Sequence, residues 1–255
     1  MKSRTFSSLR HVYNLLFFPM ETTRYFEFDF VWESLNQSPV NCYLDVSSPR
    51  ILPLLFLHKN SEVKAELINP DIKDFAITAG LIDACNLSDR CSLHDCLINN
   101  VPFENASFDL ITCISVLEHI PDNDTALIKI WGLLKPGGKL LLTLPCLAEA
   151  TEQYISKNKY GVLLPGADGY TFWQLYYDQN LLEQKIFNII GEPVHKKVYG
   201  EKHAGSFAEN SQQKRLRGAY PFWREPFMMG EEYTYFSSIK DLPGEGVIAM
   251  EFIKQ

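Results

Sequence analysis

Short apolar runs recur along the middle of the chain and are separated by polar segments rich in Asn, Asp, Gly and Pro. Each run is short and bounded by turn residues, which is typical of β-strands. The run over residues 108–116 is nearly continuous in apolar residues, as in a strand covered on both faces. The predicted strands span residues 41–46, 63–68, 90–96, 108–116 and 139–144.

Helical patterns fill the gaps between these strands. One helix is predicted to contain the apolar run 51–57. Ser47 or Ser48 can cap it, and its first turn holds Pro49. A second is predicted over 72–81. A third begins at Asp122 or Asp124 and stops at the helix-breaking run 135–138. The later part of the chain predicts a helix near 180–190 and strands near 194–199 and 247–253.

Strands that alternate with helices imply right-handed crossovers and a parallel sheet, so the predicted fold class is α/β. Apolar residues at helical spacing near the start predict an amphipathic helix that packs on the domain; they are Phe6, Leu9, Tyr13, Leu16 and Phe17. We expect one domain over residues 1–255. It comprises an N-terminal helical cap over 1–38, a first half over 39–145, and a second half over 146–255 with an insertion near 203–244.

The charge composition limits the classes of binding partner that are expected for this chain. The chain has 24 Lys and Arg against 31 Asp and Glu, a net charge of −7. It therefore lacks the basic footprint that binding to a phosphate backbone requires, so no nucleic acid partner is expected. Basic residues gather locally at 196–202 and 214–217, where they could face an anionic acceptor or simply lie in solvated loops.

The chain is expected to be cytoplasmic and to have no membrane partner. No apolar run reaches the roughly 18 to 20 residues that cross a bilayer, and no cleavage site follows the apolar start. The six cysteines form no C-x-x-C pair, which favours reduced thiols. Cys85, Cys91, His94 and Cys96 match no familiar zinc spacing, so no metal is expected there.

Ligands of an open parallel sheet bind beyond the carboxyl ends of its strands. The first predicted strand carries Asp45 near its carboxyl end, followed by Ser47, Ser48 and Pro49. Backbone N–H groups at such a loop offer donors to an anion. Helix capping accounts for the two serines equally well, so this loop alone does not distinguish an anion-binding site from a helix start.

Several motifs follow one another over residues 91–145. They are Asp95-Cys96, Val101-Pro102-Phe103, Phe108-Asp109-Leu110-Ile111, Val116-Leu117-Glu118-His119-Ile120 and Leu134-Lys135-Pro136-Gly137-Gly138. In this order and spacing they resemble the middle of a class I S-adenosylmethionine-dependent methyltransferase of the methyltransferase type 11 kind. The resemblance is looser over 41–90 and does not extend to 1–36 or 146–255.

The resemblance implies a doubly wound, mostly parallel sheet of seven strands with an antiparallel last strand. It places S-adenosylmethionine across the ends of the first four strands, so that 39–145 is the cofactor-binding half and 146–255 the substrate half. The implied cofactor-binding residues are Asp45, Ser47, Ser48, Asn69, Asp95, Cys96, Ile114 and Ser115. Asp45 opens the loop, Ser47 and Ser48 approach the methionine portion, Asp95 and Cys96 reach the adenine, and Ile114 and Ser115 line the methionine side.

Two positions depart from the family pattern. The loop after the first strand reads Ser-Ser-Pro-Arg where the family has Gly-x-Gly, and a missing side chain is what lets backbone approach a ligand. Leu67 stands where the family has an acidic residue for the ribose hydroxyls. Glu66 points to the other face of the strand, so Asn69 or Asp71 would have to substitute.

Catalysis of methyl transfer needs chiefly an acceptor held against the methyl group, with a base only for a weakly acidic acceptor. Glu118 and His119 are the expected catalytic pair by position; the alternative is a helix start fixed by hydrogen bonds. Quinone O-methyltransferases of this fold use a similar Glu-His in a metal site, with a further Glu three positions earlier. That position is Ser115 here, so the expected site has no metal.

Aromatic residues of the insertion could wall an acceptor pocket, as a lid, or be buried against a second copy in a homo-oligomer. They are Tyr220, Phe222, Trp223, Phe227, Tyr233, Tyr235 and Phe236, beside Arg224; Tyr160, Asp168 and Tyr170 also lie near the expected acceptor. The predicted function is methyl transfer to a small-molecule or glycan-like acceptor. The alternative is a non-catalytic binding module that has lost cofactor use. A dinucleotide oxidoreductase would need G-x-G-x-x-G after the first strand.

Overall fold

The structure is a computed structural model, and it describes residues 23–35, 39–156, 163–206 and 230–255. Its helices are α1 (Arg24–Leu35), α2 (Ile51–Lys59), α3 (Ile72–Ala84), α4 (Asn123–Leu133) and α5 (179–190), the last with a π-helical turn at Glu183–Phe187. Its strands are β1 (Cys42–Val46), β2 (Lys64–Ile68), β3 (Cys91–His94), β4 (Phe108–Ile114), β5 (Leu134–Cys146), β6 (Thr151–Ile155), β7 (Thr171–Tyr176), β8 (His195–Glu201), β9 (Tyr233–Phe236) and β10 (Gly246–Ile253).

The main sheet has the strand order β3-β2-β1-β4-β5-β10-β8-β9. The first five strands run parallel, and β10 is antiparallel to both β5 and β8. The predicted doubly wound α/β fold with an antiparallel last strand is therefore confirmed. The strand number is corrected from seven to eight, because β9 pairs with β8 at the edge.

Two helical layers cover the sheet because side chains of each strand alternate between its faces. Tyr43, Leu67 and Leu141 lie in one core with α1, α2 and α3. Leu44 and Ile68 lie in the other core, with α4 and α5. The strands are thus buried on both sides, as their continuous apolar sequences predicted.

Local details differ from the prediction at the helix starts. Asp71 and Asp122 cap α3 and α4 by accepting backbone N–H bonds. Neither Ser47 nor Ser48 caps α2, whose N-cap is Arg50 without a side-chain bond. That prediction was wrong because both hydroxyl groups bond elsewhere, to the ends of β2 and β4.

The chain leaves α4 directly into β5, which begins before the predicted strand. Gly137 has a φ of 77°, a left-handed conformation that suits glycine. The Lys254 ammonium caps the end of α4 by donating to the carbonyls of Trp131 at 2.6 Å and Leu134 at 2.8 Å. Two backbone acceptors at this helix end are thereby satisfied.

A separate hairpin, β6–β7, was not predicted from the sequence. The predicted N-terminal helix over Phe6 to Phe17 lies outside the described residues, as do Tyr160 and the insertion aromatics from Tyr220 to Phe227 with Arg224. In the part of the chain that the structure describes, no helix is long and apolar enough to span a bilayer.

Candidate active site

The first four parallel strands end at one edge of the sheet. Val46 pairs with Ile68, and Ile68 pairs with His94, so β1, β2 and β3 stop level with one another. Asp45 also pairs with Thr112 of β4. The structure thus brings the residues that follow these strands to the same edge; they are Ser47, Asn69, Asp95 and Ser115.

Asp45 is buried and holds the loop after β1. Its Oδ1 accepts from the Thr112 hydroxyl at 2.6 Å, and its Oδ2 accepts from the Ser48 N–H at 3.1 Å. The Tyr43 hydroxyl lies 3.2 Å from Oδ1. Burial raises the pKa of Asp45 to about 6, against the opposing effect of these hydrogen bonds. Asp45 therefore fixes the conformation of the loop after β1 through hydrogen bonds made from a buried position.

The two serines of the loop are engaged by neighbouring strands. Ser47 has a φ of 50°, and its N–H and hydroxyl both donate to the Ile68 carbonyl at 3.0 and 2.9 Å. Its left-handed backbone costs a residue with a side chain about 1–2 kcal/mol. The Ser48 hydroxyl accepts from the Ile114 N–H at 3.1 Å. The loop therefore contains a left-handed residue, a conformation that glycine favours, and hydrogen bonds of the two serines hold it in place.

The edge beyond β2 differs most from the family pattern. Leu67 is buried in the core, while Glu66 on the other face lies 2.5 Å from Nε2 of His94. The side chain of Asn69 accepts from the Asp71 N–H at 2.9 Å and donates to Asp74 at 2.7 Å. Asn69 and Asp71 therefore both serve the start of α3, and binding a ribose would require Asn69 to exchange partners.

Arg50 reaches from the loop after β1 to α3 and forms an ion pair with Asp74. Burial lowers the pKa of this guanidinium, while Asp71 nearby opposes the shift. The pair ties the loop after β1 to the helix that follows β2. Sequence reasoning had singled out neither partner.

The predicted adenine residues lie open to solvent. Asp95 is exposed just after β3, and Cys96 beside it is half-buried. Burial raises the pKa of the Cys96 thiol, with a further contribution from Asp95. Ile114 is fully buried in the core that α1, α2 and α3 cover.

Ser115 follows β4 with a φ of 49°, and its hydroxyl lies 2.5 Å from Oε1 of Glu27. Glu27 belongs to α1 and is completely buried. It also accepts from the Thr143 hydroxyl at 2.6 Å and from Arg24 at 2.7 Å. Sequence reasoning missed Glu27, which connects the N-terminal helix to the ends of β4 and β5.

Glu118 lies in the turn after β4 with only 2% of its surface exposed. Its Oε2 has no hydrogen-bond partner among the described residues. Burial raises the pKa of Glu118 to about 8; Arg24 lowers it and Glu27 raises it by smaller amounts. At neutral pH the side chain is therefore mostly an uncharged acid.

His119 is held against β7. Its Nδ1 lies 2.5 Å from the carbonyl oxygen of Trp173, and the two rings are 4.8 Å apart. A carbonyl only accepts, so Nδ1 carries the hydrogen, and Nε2 of the neutral ring is an acceptor. Nε2 is 3.8 Å from the Glu118 carboxyl, which is too long for a hydrogen bond.

Glu27 brings a carboxylate next to Ser115, but Thr143, Ser115 and Arg24 bond both of its oxygens. Among the residues that the structure describes, no three His, Cys, Asp or Glu side chains are arranged to hold a metal ion.

Comparison with known proteins identifies the domain. Residues 57–142 match the family model described as methyltransferase domain. A sterol 4-C-methyltransferase of Caenorhabditis elegans is 38% identical over 56 residues, which are 22% of this chain and 17% of that protein. A ubiquinone biosynthesis O-methyltransferase of Xanthomonas oryzae pv. oryzae is 54% identical over 41 residues, 16% of this chain and 17% of that protein. The chain thus matches less than a fifth of the length of these relatives.

Solved structures share the architecture over most of the chain. The MccD protein superposes with a TM-score of 0.62 at 12% identity, covering 90% of this chain and 96% of its own. The geranyl diphosphate C-methyltransferase of Streptomyces coelicolor, bound to Mg²⁺, a substrate analogue and S-adenosyl-L-homocysteine, gives 0.55 at 10% identity, with 89% and 74% covered. The [4+2]-cyclase SpnF gives 0.54 at 18% identity, with 89% and 78% covered.

These likenesses are to the fold, and the family match lies on the strands that carry the motifs. Together they confirm the resemblance that the sequence showed: residues 57–142 match the methyltransferase domain model, and the chain has the fold of the class I S-adenosylmethionine-dependent methyltransferases.

Proposed function

We propose that this chain transfers a methyl group from S-adenosylmethionine to a small-molecule acceptor. The observation that carries the proposal is the edge where the loops after β1 to β4 meet; β2 to β4 and the loops after them lie within the segment that matches the methyltransferase domain. The relatives named as sterol and ubiquinone methyltransferases and the neighbour bound to S-adenosyl-L-homocysteine support it. Glycan-like acceptors remain within the same proposal.

The residues of the edge fit the cofactor unevenly. The loop held by Asp45, the exposed Asp95 and the turn at Ser115 suit the methionine and adenine portions. The ribose position offers Asn69 and Asp71 in place of a free carboxylate. Bound S-adenosylmethionine supplies an electrophilic methyl group on a sulfonium; the protein supplies position and proton handling.

The two expected catalytic residues take different parts in this proposal. His119, oriented by the Trp173 carbonyl, presents Nε2 as the acceptor for a proton that leaves the methylated atom. Glu118 holds its own proton at neutral pH, so it donates a hydrogen bond to the acceptor molecule and becomes a base only near pH 8. The proton from the acceptor therefore passes to His119.

A second candidate is a protein of this fold that no longer transfers methyl groups. The specific observations are the bonded serines of the loop and Leu67 in place of the ribose acid. The neighbour named as a [4+2]-cyclase illustrates that this fold hosts other roles.

Thermal unfolding with S-adenosylhomocysteine separates the two. Ligand at about 100 times its dissociation constant adds roughly 2.7 kcal/mol, which raises the midpoint of a domain of this size by several degrees. We expect this shift in the wild type and in Glu104→Gln, an exposed change at the opposite edge, and a smaller shift in Asp95→Ala. An unchanged midpoint at millimolar ligand would favour the second candidate.

A further inference from the structure

Ser115 follows β4 in a backbone conformation that its own chemistry does not favour. Its φ is 49°, in the left-handed region. This conformation costs free energy for a residue with a side chain, because Cβ comes too close to the backbone, whereas glycine adopts it freely. Such a conformation persists only where the surrounding structure holds it. The hydrogen bonds of Ser115 therefore determine whether the turn after β4 keeps its shape.

Glu27 of α1 holds this turn by two hydrogen-bonded routes. Its Oε1 atom accepts from the Ser115 hydroxyl at 2.5 Å and from the Thr143 hydroxyl at 2.6 Å. The Ser115 N–H donates to Oγ1 of Thr143 at 3.0 Å and to the Thr143 carbonyl at 3.2 Å. Because the Thr143 hydroxyl gives its hydrogen to Glu27, its lone pairs are left for the Ser115 N–H. We call Glu27, Ser115 and Thr143 the α1 clasp.

Packing alone does not account for a carboxylate at this position of α1. Glu27 is completely buried, and Phe26, Phe28 and Val31 of the same helix lie in the apolar core. Burying a carboxylate is costly, and an apolar side chain of similar volume often stabilises a fold as well or better. Arg24 supplies the compensating charge at 2.7 Å. What the carboxylate adds is strong hydrogen bonds to the two hydroxyl groups of the α1 clasp.

The α1 clasp is also connected to the loop after β1. The N–H of Ile114, the residue before Ser115, donates to the Ser48 hydroxyl at 3.1 Å. The Ser48 N–H donates in turn to Asp45 at 3.1 Å. Ligands of an open parallel sheet bind beyond the carboxyl ends of the strands, where these loops lie. A change at Glu27 therefore affects the turn after β4 at the edge that the proposed function assigns to the cofactor.

We propose that Glu27 is a positioning residue for the cofactor: it holds Ser115 in the left-handed turn that lines the methionine portion of S-adenosylmethionine. This inference rests on the proposed function, because it assigns a role at that same site. Glu27 acts through Ser115, so the effect of replacing Glu27 should depend on which residue occupies position 115. A residue that only packs α1 on the sheet would show no such dependence.

Two glycine backgrounds separate positioning from packing. Glycine adopts a positive φ without cost, so Ser115→Gly allows the turn without help from Glu27. Ser47→Gly is the matched control background, because Ser47 has a φ of 50° but bonds to Ile68 rather than to Glu27. Glu27→Leu is made in the wild type and in both backgrounds. Binding of S-adenosylhomocysteine to the full chain is then measured by calorimetry.

We expect Glu27→Leu to weaken S-adenosylhomocysteine binding about tenfold in the wild type and in Ser47→Gly, which corresponds to about 1.4 kcal/mol. In Ser115→Gly the same change should weaken binding by less than about twofold. Glu33→Leu, the same substitution on an exposed residue of α1, should also change affinity by less than about twofold. Equal losses in the wild type and in Ser115→Gly, or no loss in the wild type, would each overturn the inference.

Urea unfolding without ligand measures the same dependence in the absence of the cofactor. Glu27→Leu should lower the folding equilibrium constant about fivefold more in the wild type than in Ser115→Gly, and equally in the wild type and Ser47→Gly. These curves also show whether each variant is folded. If Glu27→Leu does not fold, Glu27→Gln enters the same comparisons. Its neutral amide oxygen is a weaker acceptor, so the expected loss of affinity is about threefold, again confined to backgrounds that keep Ser115.

Failure of the proposed function gives a different result. A wild type that does not bind S-adenosylhomocysteine contradicts the proposed function, while urea unfolding still decides whether Glu27 holds the turn. If the wild type binds but Glu27→Leu acts equally in every background, the proposed function stands and the inference fails. If Ser115→Gly changes the effect of Glu27→Leu in urea but not in binding, the turn does not serve the cofactor, and the inference fails as well.

Discussion

The two halves of the sheet edge use their polar side chains in opposite ways. In the loops after β1 and β2, Asp45, Ser47, Ser48 and Asn69 bond to neighbouring strands and helix starts. In the turn after β4, Glu118 is buried with an oxygen that has no partner among the described residues. The first arrangement stabilises a loop of fixed shape, whereas the second leaves bonding capacity for a ligand. Satisfied groups therefore mark structure, and an unsatisfied one marks a site of recognition.

Among the variants that test this comparison, Glu118→Gln should have the largest effect, which is on the pH dependence of the free energy of unfolding. Burial raises the pKa of Glu118 to about 8 from its ordinary 4.5, so the folded chain holds a proton that the unfolded chain loses between these values. The free energy of unfolding should fall across this window by about 1.4 kcal/mol per pH unit, on the order of 5 kcal/mol in all. Glu118→Gln does not titrate and should lack this fall.

Urea unfolding of the wild type and Glu118→Gln at pH 5 and pH 9 measures the difference. Other ionisable groups are common to both proteins and cancel. Glu104→Gln should follow the wild type at both pH values. Parallel curves for the wild type and Glu118→Gln would show that Glu118 titrates normally and is not the unsatisfied group described above.

Asp45→Ala should have the next largest effect, because it tests the satisfied half. The variant leaves the Ser48 N–H and the hydroxyls of Tyr43 and Thr112 without their shared acceptor. We expect a loss on the order of 3 kcal/mol in urea unfolding at pH 8. Asp89→Ala, on an exposed residue, should change stability by less than about 0.5 kcal/mol. Similar losses in both variants would contradict the bonding role of Asp45.

Removal of divalent ions should have the smallest effect. Glu27 is the carboxylate beside Ser115, but its oxygens are bonded to Thr143, Ser115 and Arg24. Methyl transfer should therefore change by less than about twofold in excess chelator, measured as release of S-adenosylhomocysteine. Activity that is lost in chelator and restored by Mg²⁺ would show that Glu27 exchanges its partners for a metal.

The fold of residues 39–145 could be predicted from sequence because the patterns that specify it are local. Apolar runs and turn residues identified β1 to β5 and the helices between them, and parallel strand ends placed Ser47, Asn69, Asp95 and Ser115 at one edge. The strand β9 and the hairpin β6–β7 were missed, since they are short and lie between loops. β9 has only four residues and depends on pairing with β8 for its existence.

Which of the site residues form hydrogen bonds in the folded chain could not be predicted from sequence. Glu27 lies in an alternating Phe-Glu-Phe-Asp-Phe segment and contacts Ser115, which is 88 residues away. Glu118 was identified by its motif, but nothing local distinguishes a carboxyl with partners from one without. Such differences arise from packing between distant elements, and only the folded chain shows them.

The position of Lys254 has a practical consequence for anyone who prepares this protein. Its ammonium group satisfies backbone carbonyls at the end of α4, and its own carbonyl accepts from the Gly137 N–H at 2.7 Å. A chain cut before Lys254 would lose both interactions at once and free the junction between α4 and β5, so any truncation for crystallisation should keep this residue.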